Sequence, residues 1–270
     1  MNSSIGQRHI IARKLSPAAN CRTLSTERDS AMTSGNGRDL QAVLWDMDGT
    51  LVDTEPYWLA AQSEIARMHG IEWNTQDARP TVGQAMPVTA SILQKRGVAL
   101  SIDEIINELL ERVVARLEGG IPWLPGAERI LAELAAAHIP SALVTMAFSP
   151  VATRVAAAAP LGTFHAVVAG DAVPQGKPHP GPYLAAAELL SVKTSHCVAV
   201  EDLVSGTTSA QAAGIEVVIV PGVVQPPPAP GRHFVNSLEA VTVESLRDIL
   251  RQPGLTSRTR PSGPGAGTNH

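Results

Sequence analysis

Six side chains in this sequence could do chemistry together. Asp46 and Asp48 stand two residues apart, directly after the apolar run Ala42–Trp45. Thr145 closes the run Ala142–Thr145, and Lys177 follows Ala166–Ala169 by a few residues. Glu201 and Asp202 come straight after Cys197–Val200. Taken singly, each reads as an ordinary polar residue at a strand end. Taken together, they imply four carboxylates, a hydroxyl and an ammonium gathered at one place. Such a group of buried acids is unstable unless positive charge sits among them. Lys177 offsets one charge. A divalent cation would offset two, and an all-oxygen donor set favours Mg²⁺.

That gathering requires a particular scaffold. In open α/β sheets, ligands bind outside the carboxyl ends of the strands. The four apolar runs above read as strands, and Glu216–Val220 as a fifth. Helical patterns over Gly126–Ala137, Pro150–Ala158, Gly181–Leu190, Ser205–Ala213 and Val243–Leu250 supply the crossovers that parallel strands need. Between the first strand and that alternation lies a stretch with helices and no clear strand. It begins with Thr54–His69, where Pro56 sits at an N1-like position and Gly70 is a stop. Ser101-Ile102-Asp103-Glu104 is a capping box. It opens a helix with Ile105, Ile106, Leu109, Leu110, Val113, Val114 and Leu117 on one side. The expected fold class is α/β: a Rossmann-like parallel sheet core with a small inserted α-helical cap. The core would take 39–54 and 123–252, and the cap 55–122.

Composition narrows the partners. The chain has 270 residues, a net charge of −4 and 3% aromatic residues, so its core must be mostly aliphatic. The charge is unevenly spread: +4 over residues 1–38, −10 over 39–253 and +2 over 254–270. An acidic body speaks against nucleic acid, and no apolar run is long enough for a transmembrane helix. Residues 1–38 read as a disordered extension, or as a start assigned too early with Met32 as the true start. Their Arg- and Ser-rich character is only weakly like a transit peptide. Residues 253–270 read as a disordered tail. Cys21 lies in polar surroundings and Cys197 in an apolar run, so the two are not expected to pair. Without a CxxC there is no cysteine-type zinc site. A cytoplasmic setting fits.

The motifs carry a family resemblance. Asp46-Met47-Asp48-Gly49-Thr50-Leu51-Val52-Asp53-Thr54-Glu55 resembles the first motif of the haloacid-dehalogenase-like phosphohydrolases. Thr145 looks like the second motif, and Gly176-Lys177-Pro178-His179-Pro180 like the third. Glu201-Asp202-Leu203-Val204-Ser205-Gly206 looks like the fourth. Within the family, Glu55-Pro56-Tyr57-Trp58 and Lys177–Leu184 are similar to sugar-phosphate phosphatases of the hexitol-phosphate and 2-deoxyglucose-6-phosphate kind. The resemblance implies Asp46 as nucleophile, forming an aspartyl-phosphate, and Asp48 as general acid and base. Residues i and i+2 of an extended segment share a face, which suits that pair. It also implies Mg²⁺ held by Asp46, the Asp48 carbonyl and Asp202, with Glu201 a further ligand or a partner of the ligands. Thr145, Lys177 and the Gly49 backbone would meet the phosphoryl group of a small phosphorylated metabolite. Two positions depart from the pattern. Met146-Ala147-Phe148 stands where small hydroxyl or amide residues are usual, and Leu203 where a small polar residue is common.

Two rival readings make different demands on the residues. A β-phosphoglucomutase-like sugar-phosphate mutase predicts a His near Trp58 and an Arg shortly after Gly83, where Gln84-Ala85-Met86-Pro87 stands. A non-catalytic binding or regulatory protein on this fold would be expected to have lost a carboxylate or Lys177. Gly170–Lys177 superficially resembles a P-loop but is one residue too long, and Pro178 replaces the needed Ser or Thr. Gly263–Gly267 follows no strand, so it reads as flexible tail. His179, between prolines, reads as shaping a loop, and Pro226-Pro227-Pro228 as a stiff surface loop. Trp58 fits a pocket wall and packing within the insert equally well. Lys95, Arg96 and Gln84 are candidate specificity residues. The low aromatic content shows no interface patch, so oligomeric state is left open.

Overall fold

The computed structural model describes Arg13–Lys14 and residues 38–251. Strand β1 is Arg13–Lys14, and β2 (Ala42–Trp45) is buried along its whole length. Full burial on both faces marks a central strand of a covered parallel sheet. After β2 come helices α1 (Glu55–Met68), α2 (Thr75–Ala78), α3 (Met86–Lys95) and α4 (Ile102–Glu118). Then follow α5 (Ala127–Ala136), β3 (Ser141–Val144), α6 (Ser149–Ala158), β4 (Phe164–Val168) and α7 (Gly181–Leu190). The chain continues with β5 (Cys197–Glu201), α8 (Val204–Ala212), β6 (Glu216–Ile219), β7 (Arg232–Phe234) and α9 (Val243–Arg251).

The sheet order is β1-β4-β3-β2-β5-β6-β7. Strands β2 to β7 are parallel, and β1 pairs antiparallel on the β4 edge. The chain winds from β2 through β3 to β4, then crosses back and winds from β5 to β7. The switch in direction lies between β2 and β5, where such sheets open a crevice at their carboxyl ends. Alternate residues of each strand feed two cores. Val43, Trp45, Leu143, Val198 and Val200 face one, with α5, α6 and α9. Ala42, Leu44, Ala142, Cys197 and Ala199 face the other, where alanines on α7 and α8 pack close. Burial pushes the Cys197 thiol up to about 12, in keeping with a small buried hydrophobe.

The insert is helical throughout, as the sequence predicts. The capping box of α4 forms: Ser101 Oγ accepts from the Glu104 N–H at 3.3 Å, and Glu104 Oε2 accepts from the Ser101 N–H at 2.8 Å. The apolar side of α4 packs on α1 and α3. Arg116 on α4 holds Glu64 on α1 at 2.5 Å.

Five elements differ from expectation by more than a residue at an end. Strand β4 runs Phe164–Val168 rather than Ala166–Ala169, because Phe164 pairs with Ser141 across an irregularity in the ladder. Strand β7 has no apolar run to announce it. It is held by parallel pairing to β6 and by His233 Nε2, 2.8 Å from Glu216 Oε2. The short α2 and the separate α3 lack the length that makes a helical period visible. Finally, β1 falls inside the stretch read as an extension. The rest of residues 1–37, with Cys21, and residues 252–270, with the Gly263–Gly267 run, lie outside the described residues.

Candidate active site

The turn after β2 builds the first half of the site. The Met47 carbonyl accepts from the N–H groups of Thr50, Leu51 and Val52, and the Gly49 N–H donates to the Val52 carbonyl at 2.9 Å. This tight turn needs φ +81° at Gly49, a conformation L side chains adopt rarely. Space matters as much: a Cβ at Gly49 would lie 2.4 Å from Asp202 Oδ2. Gly49 therefore admits the Asp202 side chain, a role the motif alone does not reveal.

Three strand ends converge here. Asp46 follows β2, Thr145 follows β3, and Glu201 with Asp202 closes β5. Lys177, on the loop between β4 and α7, reaches in between them. Its Nζ lies 2.5 Å from Asp46 Oδ1 and 2.6 Å from Glu201 Oε1, with its side chain 3% exposed. Tyr183, fully buried on α7, donates its hydroxyl to the same Glu201 oxygen, and its ring lies 5.3 Å from Lys177 Nζ. A Cβ at Gly206 would come within 2.0 Å of the Glu201 carboxyl, so α8 closes tightly over it.

The electrostatics follow from burial. Burial pushes Glu201 up to about 7, with Asp46 adding to the rise and Lys177 opposing it. Burial likewise drives Asp202 up to about 9, reinforced by Asp46 and Glu201. Lys177 is pulled down by burial, yet Asp46 and Glu201 outweigh this and raise it above the usual lysine range. The ammonium thus stays charged while the acids around it are under-compensated.

Asp46, Glu201 and Asp202 each offer a carboxylate oxygen within 4.8 Å of the others. Asp202 Oδ1 is buried without a hydrogen-bond partner. An orphaned carboxylate oxygen beside two further acids and one ammonium fits a small, hard cation.

Asp48 is held separately. Its Oδ1 accepts from Thr54 Oγ1 and, at 3.2 Å, from Trp58 Nε1. Its Oδ2 accepts from Thr145 Oγ1 at 3.2 Å, and Thr145 Oγ1 also accepts from the Ala147 N–H at 3.0 Å. Burial raises the Asp48 carboxyl, Thr54 opposes this, and Asp46 adds to it. Thr145, which the resemblance implied as a phosphoryl contact, thus also bonds Asp48.

A cavity of about 370 Å³ opens between this group and the cap. Asp46, Asp48, Lys177, Glu201 and Asp202 all line it. Trp58 lines it too and also packs against the core that includes the insert helices, so both of its readings hold. Gln84 joins the wall. Arg96 instead pairs with Asp77 at 2.6 Å and stacks 5.6 Å from the Trp73 ring, and Lys95 is exposed elsewhere. His179 serves its loop, its Nδ1 accepting from the Gly181 N–H at 3.0 Å. The two unusual residues are accommodated by glycines. Met146 sulfur accepts from the Lys177 N–H at 3.2 Å, and a Cβ at Gly176 would lie 2.2 Å from its methyl. Leu203 reaches the cap, where a Cβ at Gly83 would lie 2.6 Å from its Cδ1.

Thr54 and Tyr183 stand inside the quoted motifs, which assign no role to either. Tyr183 had one signal: a tyrosine in an apolar helix turn needs a partner for its hydroxyl when buried, and the chain has only two tyrosines.

Comparison with known proteins bears on the family and the fold. A family model described as haloacid dehalogenase-like hydrolase matches residues 40–214. Hexitol phosphatase A of Escherichia coli (strain K12) is 36% identical over 201 residues, covering 74% of this chain and 92% of that protein. The crystal structure of CbbY from Rhodobacter sphaeroides in complex with xylulose-(1,5)bisphosphate superposes with a TM-score of 0.70 at 26% identity, covering 77% of this chain and 99% of that one. A β-phosphoglucomutase from Clostridium difficile shares the fold, with a TM-score of 0.65 at 19% identity over 77% of this chain and 96% of that one.

Proposed function

The chain belongs to the haloacid dehalogenase-like hydrolases and is a phosphatase of that family, and on that premise we propose that it hydrolyses sugar or polyol monophosphates through an aspartyl-phosphate on Asp46, with Mg²⁺ as cofactor. The observation that carries this reading is the convergence of Asp46, Lys177, Glu201 and Asp202 at the sheet's switch point, with Asp48 held apart from them.

In this reading an Asp46 carboxylate oxygen attacks phosphorus as the bond from phosphorus to the leaving oxygen breaks. Asp48 gives its proton to that oxygen, and the alcohol leaves. Water then attacks phosphorus, Asp48 takes its proton, and phosphate departs as the Asp46 carboxylate is restored. Mg²⁺, held by Asp46, Asp202 and the Asp48 carbonyl, would supply positive charge beside the transferring oxygens. Glu201 fits best as the residue that fixes Lys177, since one of its oxygens already takes both Lys177 and Tyr183. Lys177 keeps the Asp46 oxygen in place and neutralises charge on the phosphoryl group. The apolar walls limit bulk water around the reacting atoms.

The cap side of the cavity supports a neutral body on the substrate. Among the described residues lining it, Lys177 is the one cation, and Asp53 and Glu55 face the same space. Arg79 stands further out, in the neighbouring groove. A second phosphate or a carboxylate would meet like charge there. A mutase reading is no better supported: Trp58 and Gln84 occupy the wall where that reading predicted a His and an Arg nearby.

The test is phosphate release with Mg²⁺ from a panel of hexitol, hexose and pentulose monophosphates, alongside bisphosphates and phosphorylated carboxylic acids. Neutral-bodied monophosphates should be turned over best, and Asp46→Asn should abolish release. Preference for a bisphosphate, or full activity in Asp46→Asn, contradicts the reading.

A further inference from the structure

We propose that Trp58 is a positioning residue whose indole N–H fixes the Asp48 carboxyl group for proton transfer to the leaving oxygen. This rests on the reading of Asp48 as the general acid.

Asp48 sits on a sharp turn and needs outside contacts to hold its carboxyl group in one orientation. Three donors from two separate segments supply them. Thr54 is the residue preceding α1, and Trp58 follows it by one helical turn, so both face the same way. Both reach Oδ1, while Thr145, at the end of β3, reaches Oδ2. The donors differ in kind. A threonine hydroxyl rotates and can donate or accept, but an indole N–H only donates. Trp58 therefore holds Oδ1 in the acceptor role. A protonated Asp48 then carries its proton on Oδ2, where the Thr145 hydroxyl can turn from donating to accepting, and Oδ2 is the oxygen that gives the proton up. The same contact ties the acid to the first turns of the cap helix α1, so the cap is part of the device that orients it.

The consequence depends on the leaving group. A good leaving group departs without a proton, whereas a basic one needs it in the transition state. The measurement is kcat/KM, which reports phosphoryl transfer to Asp46, over aryl phosphates of similar size from p-nitrophenyl to phenyl phosphate, with Mg²⁺. Two variants are used: Trp58→Phe, and Trp58 replaced by 3-benzothienyl-alanine, which keeps the ring shape and lacks the N–H. Both should lower phenyl phosphate on the order of tenfold more than p-nitrophenyl phosphate, steepening the dependence on leaving-group basicity. A parallel fall along the whole series, or unchanged phenyl phosphate, overturns the proposal. Asp48→Asn in the same series separates the two claims. If it steepens the dependence while the Trp58 variants do not, only the positioning role fails. If it leaves the series unchanged, the acid assignment fails, and the positioning role with it.

Discussion

Asp202 is walled on two sides by glycines. A Cβ at Gly49 would lie 2.4 Å from its Oδ2, and one at Gly222 would lie 2.9 Å from the same atom. The remaining opening is toward the cavity and the other acids. Gly49→Ala should therefore displace Asp202 and raise the Mg²⁺ concentration for half-maximal activity on the order of tenfold or more, by analogy with losses around other metal ligands. A magnesium titration of phosphate release checks this. At Gly206 the crowding falls on Glu201 instead. Gly206→Ala should cost about 1–3 kcal/mol of stability by overpacking, read by denaturant unfolding. The carboxylates and Thr145 were legible because each closes a strand or follows one within three residues, and strand ends are where ligands gather; Lys177, on the longer loop between β4 and α7, was legible through its motif. The bonds from Thr54 and Trp58 to Asp48 were not legible. They depend on the angle at which α1 leaves the turn, which no local pattern encodes. Tyr183 was hidden for a related reason: its partner Glu201 lies on another element.

At the scale of elements, strong local signals survived and weak ones did not. The central strands are continuous apolar runs, and α4 has both a cap and a period, so their placement was readable. Strand β7, with Arg232 and His233 in its three residues, exists only because β6 presents an edge to it. The capping box gives a direct test. Ser101→Ala removes the side-chain acceptor for the Glu104 N–H and should cost about 1 kcal/mol. Because Ser101 does not line the cavity, thermal unfolding should shift while kcat holds. Equal stability would show that α4 is fixed by packing on α1 and α3 alone.

Over the whole molecule, the net charge of −4 conceals an acidic body of −10 whose four site carboxylates are under-neutralised. That has a pH signature. Glu201 and Asp202 are raised to about 7 and about 9, so the folded state keeps protons that the unfolded chain has already released. Where the folded state binds more protons, stability falls as pH rises. The metal-free protein should lose stability from the ordinary carboxylate range up to about 9, and Mg²⁺ should flatten that slope by binding the ionised folded form. Melting temperature against pH, with and without Mg²⁺, checks both. No helix among the described residues is long and apolar enough to cross a membrane. The central claim is that phosphate passes through Asp46. It is tested by acid-quenching the enzyme during turnover of a hexitol phosphate and mapping protein-bound phosphoryl groups by peptide mass spectrometry. The account predicts a phosphorylated peptide containing Asp46, absent in Asp46→Asn. Undiminished turnover by Asp46→Asn, with no phosphorylated peptide in the wild type, would contradict it.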